Sequence, residues 1–254
     1  MAYFNGKGIV VNIGQDIDAS AVKAGVAEYL AENPAALTVY DNKRIGQKII
    51  NGEYDSIICL GDSITNGDGG SSSDGLPAYC WSRMFKKYIE EMYGIPVSVM
   101  GYSGSVASYQ YGRITGQASA NRLVIWLTGT NNRALEWDSY KENFLSYIEG
   151  VRAISTDILI MSCTPAPDDS GKAHTTREVD DFLIASVYGN EYFVDMNQRY
   201  SQYFSDSDIS ESYADTVHPN DTGYLAMFKI VCDELGIPLA PQTDFTYAGA
   251  WWQG

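Results

Sequence analysis

Five apolar runs in the later part of the chain alternate with helix-like stretches, and that alternation restricts the fold more than any other feature. The runs are SIICL (56–60), PVSVM (96–100), RLVIWL (122–127), DILIMS (157–162) and EYFVDM (191–196). Helix-like segments follow them at roughly 78–92, 106–118, 137–152, 175–188 and 221–235. Strand and helix in strict turn build crossover units, and crossovers make neighbouring strands parallel. The runs are nearly continuous in apolar residues, so both faces of the sheet must be covered. The expected fold is a three-layer α/β/α sandwich around a mostly parallel five-stranded sheet. Such sheets bind ligands at the carboxyl ends of their strands.

The region before this pattern has a different texture. Residues 1–52 hold the strand-like run GIVVNIG and a second run, ALTVYD. Between them Val22, Val26, Tyr29 and Leu30 fall at helical spacing, which predicts a helix over about 19–32, ended by Pro34. This is too little for an independent core. It is expected to be an appendage that packs on the main domain or joins copies of the chain into a homo-oligomer. The main domain is expected over 53–238. The remaining 239–254 are expected to form a tail whose Trp251 and Trp252 pack back on the body.

The 254 residues carry a formal net charge of -15, and 45% are apolar. A real core can be buried, while phosphates are repelled, which makes nucleic acid and anionic membranes poor partners. Neutral substrates such as sugars or esters meet no such barrier. Cysteines 59, 80, 163 and 232 show no metal-ligand or CxxC spacing, and Cys59 and Cys163 sit in strand-like runs as core thiols. No signal peptide or membrane-length apolar run is visible, so the chain is expected in the cytoplasm or exported without a visible signal.

The strand ends carry the chemistry. The first run leads into Gly61, Asp62 and Ser63, and the second into Gly101, Tyr102, Ser103 and Gly104. The third leads into Gly129, Thr130, Asn131 and Asn132, and Asp215 and His218 stand just before the last helix. A parallel sheet brings these ends to one rim. A serine hydroxyl is a weak nucleophile until a base takes its proton, and neutral histidine is the natural base near neutrality. A carboxylate fixes the imidazole tautomer. Backbone N–H groups of Ser63 and Gly104 and the Asn131 amide could receive an oxyanion, and Gly104 would let a backbone donor approach closely. Ser63, Asp215 and His218 are therefore the catalytic candidates. Asp62, Tyr102, Asn132 and Val217 flank them as candidates for substrate contact, with Asp62 also suited to holding the Ser63 loop. His174 lies in the polar stretch SGKAHTTRE and is read as a solvated loop residue.

These blocks, in this order, resemble the GDSL, or SGNH, hydrolase family over roughly residues 54–236. GDSIT matches the first block, Gly104 the second-block glycine, Gly129 to Asn132 the third block, and Asp215 with His218 the fifth. The resemblance implies a flavodoxin-like hydrolase fold, a serine esterase mechanism, an oxyanion hole from Ser63, Gly104 and Asn131, and no metal or organic cofactor. Two positions depart from the family pattern. Asn132 replaces its usual Asp, and Val99 stands where an Asn often supports the nucleophile loop.

The acidic stretch DSDISESYAD (206–215) lacks the spacing of a calcium loop. Tyr79, Trp81, Tyr102, Tyr109 and Tyr111 lie near the expected rim and suit sugar rings. The glycine and serine run at 67–75 reads as a mobile loop beside Ser63. The expected activity is hydrolysis of a short-chain acyl ester, acetyl above all, on a carbohydrate. A lysophospholipase, a thioesterase and a catalytically decayed glycan-binding or adhesion module stay open as alternatives.

Overall fold

A computed structural model describes residues 2–4, 9–11, 41–72, 78–169, 172–187, 192–205 and 207–240. They fall into two units, Met1–Val39 and Tyr40–Gly254. In the first, strands β1 (Ala2–Phe4) and β2 (Ile9–Val11) pair antiparallel, with Phe4 opposite Ile9. β2 lies inside the run GIVVNIG. The helix expected at 19–32 and nearly all of ALTVYD lie outside the described residues.

The second unit holds β3 (Ser56–Gly61), β4 (Val97–Gly101), β5 (Arg122–Leu127), β6 (Asp157–Met161) and β7 (Tyr192–Val194). All pair parallel, in the spatial order β4-β3-β5-β6-β7. Its helices are α1 (Asn42–Ile50), α2 (Ser63–Asn66), α3 (Trp81–Tyr93) and α4 (Ala107–Ile114). They continue with α5 (Trp137–Arg152), α6 (Thr176–Val187), α7 (Met196–Tyr203) and α8 (Asp221–Leu235).

Alternate strand residues enter different cores, as the two-residue period of a strand requires. Ile57 and Cys59 of β3, Ile125 of β5 and Leu159 of β6 join one core with α1, α3 and α8. Ile58 and Leu60, Val124 and Trp126, and Ile158 and Ile160 join the other with α4, α5 and α6. The strand interiors are mostly apolar in succession because both faces are covered. Each fully buried aliphatic side chain contributes about 1.5–3 kcal/mol over its exposed state. The one indole in the middle strand finds a partner: Trp126 Nε1 donates to Gln110 Oε1 at 2.7 Å.

The helices follow their apolar spacing. In α5, Tyr140, Phe144, Ile148 and Val151 recur three or four residues apart and are all buried. Asn220 caps α8 by accepting from the Thr222 and Gly223 N–H groups at 3.0 and 3.2 Å. Gly236 ends that helix in the left-handed region, φ 65°.

The boundary of the appendage differs from the expected residue 52. It falls between Val39 and Tyr40, because α1 belongs to the second unit. Ile45 and Ile49 of α1 are fully buried in the same core as α8. The tail is described only to Ala240, whose N–H donates to the Tyr88 hydroxyl at 3.0 Å. Trp251 and Trp252 lie outside the described residues.

Candidate active site

β3 ends at Gly61 and turns at once into the single-turn helix α2. Asp62 caps that turn, its Oδ1 accepting the Ile64 N–H at 2.9 Å. Ser63 is thus the first helical residue, where N–H groups have no intrahelical acceptor. It is only 4% exposed, and Asp62 is fully buried. Burial pushes the Asp62 carboxyl up to about 6, against the Ile64 N–H and the nearby Thr130 hydroxyl, which favour its charged form. Even so, Asp62 Oδ2 and Thr130 Oγ1 do not meet as a hydrogen bond, and each is left without a partner.

His218 arrives from the other end of the chain. Its loop runs from a 3-10 turn (Ile209–Ser212) to α8 and is pinned at both sides. Tyr213 pairs with Pro219 in an isolated antiparallel bridge. The Ala214 N–H donates to the His218 carbonyl at 2.8 Å. The ring is held between two oxygens: Nε2 lies 2.9 Å from Ser63 Oγ, and Nδ1 lies 2.7 Å from Asp215 Oδ2. A proton on Nδ1, directed at the carboxylate, leaves Nε2 as the acceptor for the serine hydroxyl.

Asp215 is itself fixed by its backbone surroundings. Its Oδ1 accepts the N–H groups of Val217 and His218, both at 2.7 Å. Partial burial opposes its charge, but the His218 ring and those two N–H groups outweigh it and hold the carboxyl below its ordinary range. Serine, imidazole and carboxylate therefore form one hydrogen-bonded chain. Such a chain can remove a proton from the hydroxyl and store it on the ring.

The ends of β4 and β5 lie on either side of the end of β3. Gly104 takes a positive φ of 74°, which favours glycine. A Cβ there would meet no protein atom within 4 Å, so among protein groups it is the backbone angle that calls for glycine. Asn131 Nδ2 donates to the Ser105 carbonyl at 2.9 Å, which ties the third strand end to the second. Its second amide hydrogen stays available.

Asn132 is buried, and its Oδ1 accepts the Ala107 N–H at 3.1 Å, anchoring the start of α4. An amide oxygen thus meets this backbone donor at the position where the resembling family usually carries Asp. Asp62 and Asn132 serve these loops from inside, while Val217 acts through its backbone.

A second link was missed in the sequence although it lies within SITNG. Asn66 Nδ2 donates to Ser103 Oγ at 3.1 Å and to Asp68 Oδ1 at 3.0 Å, so α2 holds the Gly104 loop directly. The glycine run after it is fastened over its described part. Ser71 N–H donates to Asp221 Oδ1 at 2.7 Å, and the Tyr224 hydroxyl donates to the Asp68 carbonyl at 2.5 Å. Residues 73–75 lie outside the described residues.

Beside Gly104 opens a cavity of about 840 Å³, lined by Tyr102, Ser108, Tyr109, Leu135 and Glu136 among others. Of the five aromatics expected at the rim, Tyr102 and Tyr109 line it. Tyr79 and Trp81 are fully buried core residues, and Tyr111 stacks on Tyr147 at 4.8 Å. His174 is not simply solvated: its ring stacks on Trp137 at 4.5 Å. The four cysteines are free and buried.

The model of the GDSL-like Lipase/Acylhydrolase family matches residues 59–226. No curated protein matches the chain. Among solved structures, a member of the lipolytic G-D-S-L family from Veillonella parvula is 22% identical. It covers 70% of this chain and 96% of its own, with a TM-score of 0.59. The acetylxylan esterase Axe2 from Geobacillus stearothermophilus is 17% identical. It covers 74% of this chain and 97% of its own, also at 0.59.

Proposed function

Because the chain belongs to the GDSL-like lipase/acylhydrolase family, and so hydrolyses ester bonds, we propose that it is a serine esterase removing a short acyl group, above all acetyl, from a carbohydrate. The observation that carries the mechanism is the unbroken chain from Ser63 Oγ through His218 to Asp215, at 2.9 and 2.7 Å.

His218 Nε2 takes the hydroxyl proton as Ser63 Oγ attacks the ester carbonyl carbon. The negative oxygen of the tetrahedral intermediate receives the N–H groups of Ser63 and Gly104 and the free Asn131 amide hydrogen. Collapse breaks the bond to the alcohol, which leaves with the proton from His218. Water then attacks the acyl-serine, gives a proton to His218, and the acid departs as Ser63 regains its hydrogen. Throughout, Asp215 holds the ring and stabilises its charged form.

Three observations support the short acyl group and the sugar. The net charge of -15 favours neutral substrates. The cavity beside Gly104 mixes aromatic rings with hydroxyls and a carboxylate, a lining suited to a polyhydroxy alcohol. One structural relative is an acetylxylan esterase, and variants of it described as catalytic mutants replace a serine, an aspartate and a histidine.

The test is a chain-length series of nitrophenyl esters on the wild type and on Ser63→Ala. Two- to four-carbon acyl groups should be turned over best, and Ser63→Ala should lose several orders of magnitude. Equal or better turnover of long acyl chains would sink the short-acyl reading. Wild-type protein that a serine-reactive phosphonate fails to label at Ser63 would sink the mechanism.

A further inference from the structure

Glu136 stands out on the wall of the cavity. It is the one non-glycine with a positive φ among the described residues, at φ 56° and ψ 28°, and it precedes the first turn of α5 without a side-chain bond to it. A backbone outlier persists only where its surroundings hold it, and such outliers gather at functional sites. Its side chain is held too: Oε2 accepts from Ser108 Oγ at 2.8 Å. A carboxylate has about four acceptor positions, so most of this one stays open.

The cavity lining says what those positions face. At about 840 Å³ the space far exceeds an acetyl group, so it has room for the alcohol part of the ester. The Tyr102 ring is engaged, with the Arg113 guanidinium 5.3 Å from its centroid and Tyr109 edge-on at 5.6 Å. Tyr109 is 51% exposed and Leu135 is 55% exposed, which leaves both free to meet a ligand. An exposed phenol, an aliphatic contact and an open carboxylate suit a ring with apolar C–H faces and hydroxyls at its edge. The same carboxylate repels a negative charge.

Resting on the esterase reading above, we propose that Glu136 selects the alcohol: a neutral sugar ring packs on Tyr109 while its hydroxyls donate to the Glu136 carboxylate, and acidic sugars are rejected. Glu136 is thus a specificity residue and takes no part in the bond changes.

The experiment compares kcat/KM for an acetylated methyl glucoside, an acetylated uronic acid and p-nitrophenyl acetate. Glu136→Gln should lower the ratio of glucoside to nitrophenyl ester about tenfold, the effect of losing a charge-assisted acceptor, and should raise the relative rate on the uronic acid. Tyr109→Ala should lower the glucoside ratio as well. Glu136→Gly relieves the positive φ while removing the carboxylate, so it keeps the fold and should show the same fall. A glucoside ratio unchanged in all three variants overturns the proposal and leaves the esterase reading intact. So does a wild type that cleaves p-nitrophenyl acetate but no acetylated glucoside. A wild type inert on every ester removes the esterase reading, and this one with it.

Discussion

One hydrogen of the Asn131 amide is committed to the Ser105 carbonyl, which leaves the other for the oxyanion of the proposed mechanism. Asn131→Ala should therefore lower kcat by about 10²–10³, the usual effect of losing one oxyanion donor; steady-state kinetics on p-nitrophenyl acetate would measure it. Asp62 calls for a stability experiment. Its folded carboxyl titrates at about 6, raised from 3.8 chiefly by burial. The folded state holds this proton more tightly than the unfolded chain, so ionising Asp62 costs stability as pH rises through that interval. Below it the cost is absent, and above it the cost is complete. Asp62→Asn keeps the Oδ1 cap on Ile64 and offers Nδ2 to the partnerless Thr130 hydroxyl. Thermal melts should show the variant gaining stability over wild type above about pH 6 and matching it near pH 4, the window of the shifted titration. At this scale the sequence was readable where chemistry demands a residue type, as at Ser63 and His218. It was silent on Glu136, since neither a strained φ nor the Ser108 hydroxyl facing it leaves a mark in residue spacing.

Strand β3 and helix α2 meet the His218 loop through the turn after α2. Gly69 has φ 90°, and a Cβ there would lie 2.7 Å from the Pro219 carbonyl and 2.8 Å from the His218 Cβ. Gly69→Ala should push the His218 loop off Ser63 and lower kcat by about 10²-fold, what a roughly 1 Å misplacement costs. Its Tm should move by only a few degrees, since strain at one residue is about 1–3 kcal/mol. Equal activity in the variant would show that the turn does not position the base. The long elements were legible: β5, α5 and α8 begin and end where their apolar spacing does. The short ones were not. EYFVDM extends past β7 because Asp195 caps α7, its Oδ1 accepting the Gln198 N–H at 2.7 Å. A single turn such as α2 is too short to show any period, and α1 was hidden in a region taken for an appendage.

Across the whole molecule the net charge of -15 acts on every approaching ester. Raising ionic strength should increase kcat/KM for an anionic acetyl ester severalfold and leave a neutral one unchanged, because salt screens only the former. The layered architecture followed directly from uninterrupted apolar runs, and the shared rim followed from parallel strands. What composition could not convey was which aromatics turn inward. Tyr79 and Trp81 follow soon after the glycine and serine run in sequence yet are fully buried, in the core that α1, α3 and α8 share.

The hydrogen bond between Ser63 and His218 also spans 155 positions of chain. A growing polypeptide presents Ser63, the proposed nucleophile, early and receives His218, the proposed base, only when the last helix docks. Contacts of such long separation form late, after slow loop closure. The chain should thus stay chemically silent through most of its maturation. In refolding from denaturant, helical circular dichroism should return before esterase turnover, and the interval between the two should lengthen when α8 is destabilised by Asn220→Ala. Simultaneous recovery of both signals would mean that the last helix docks as early as the first strand.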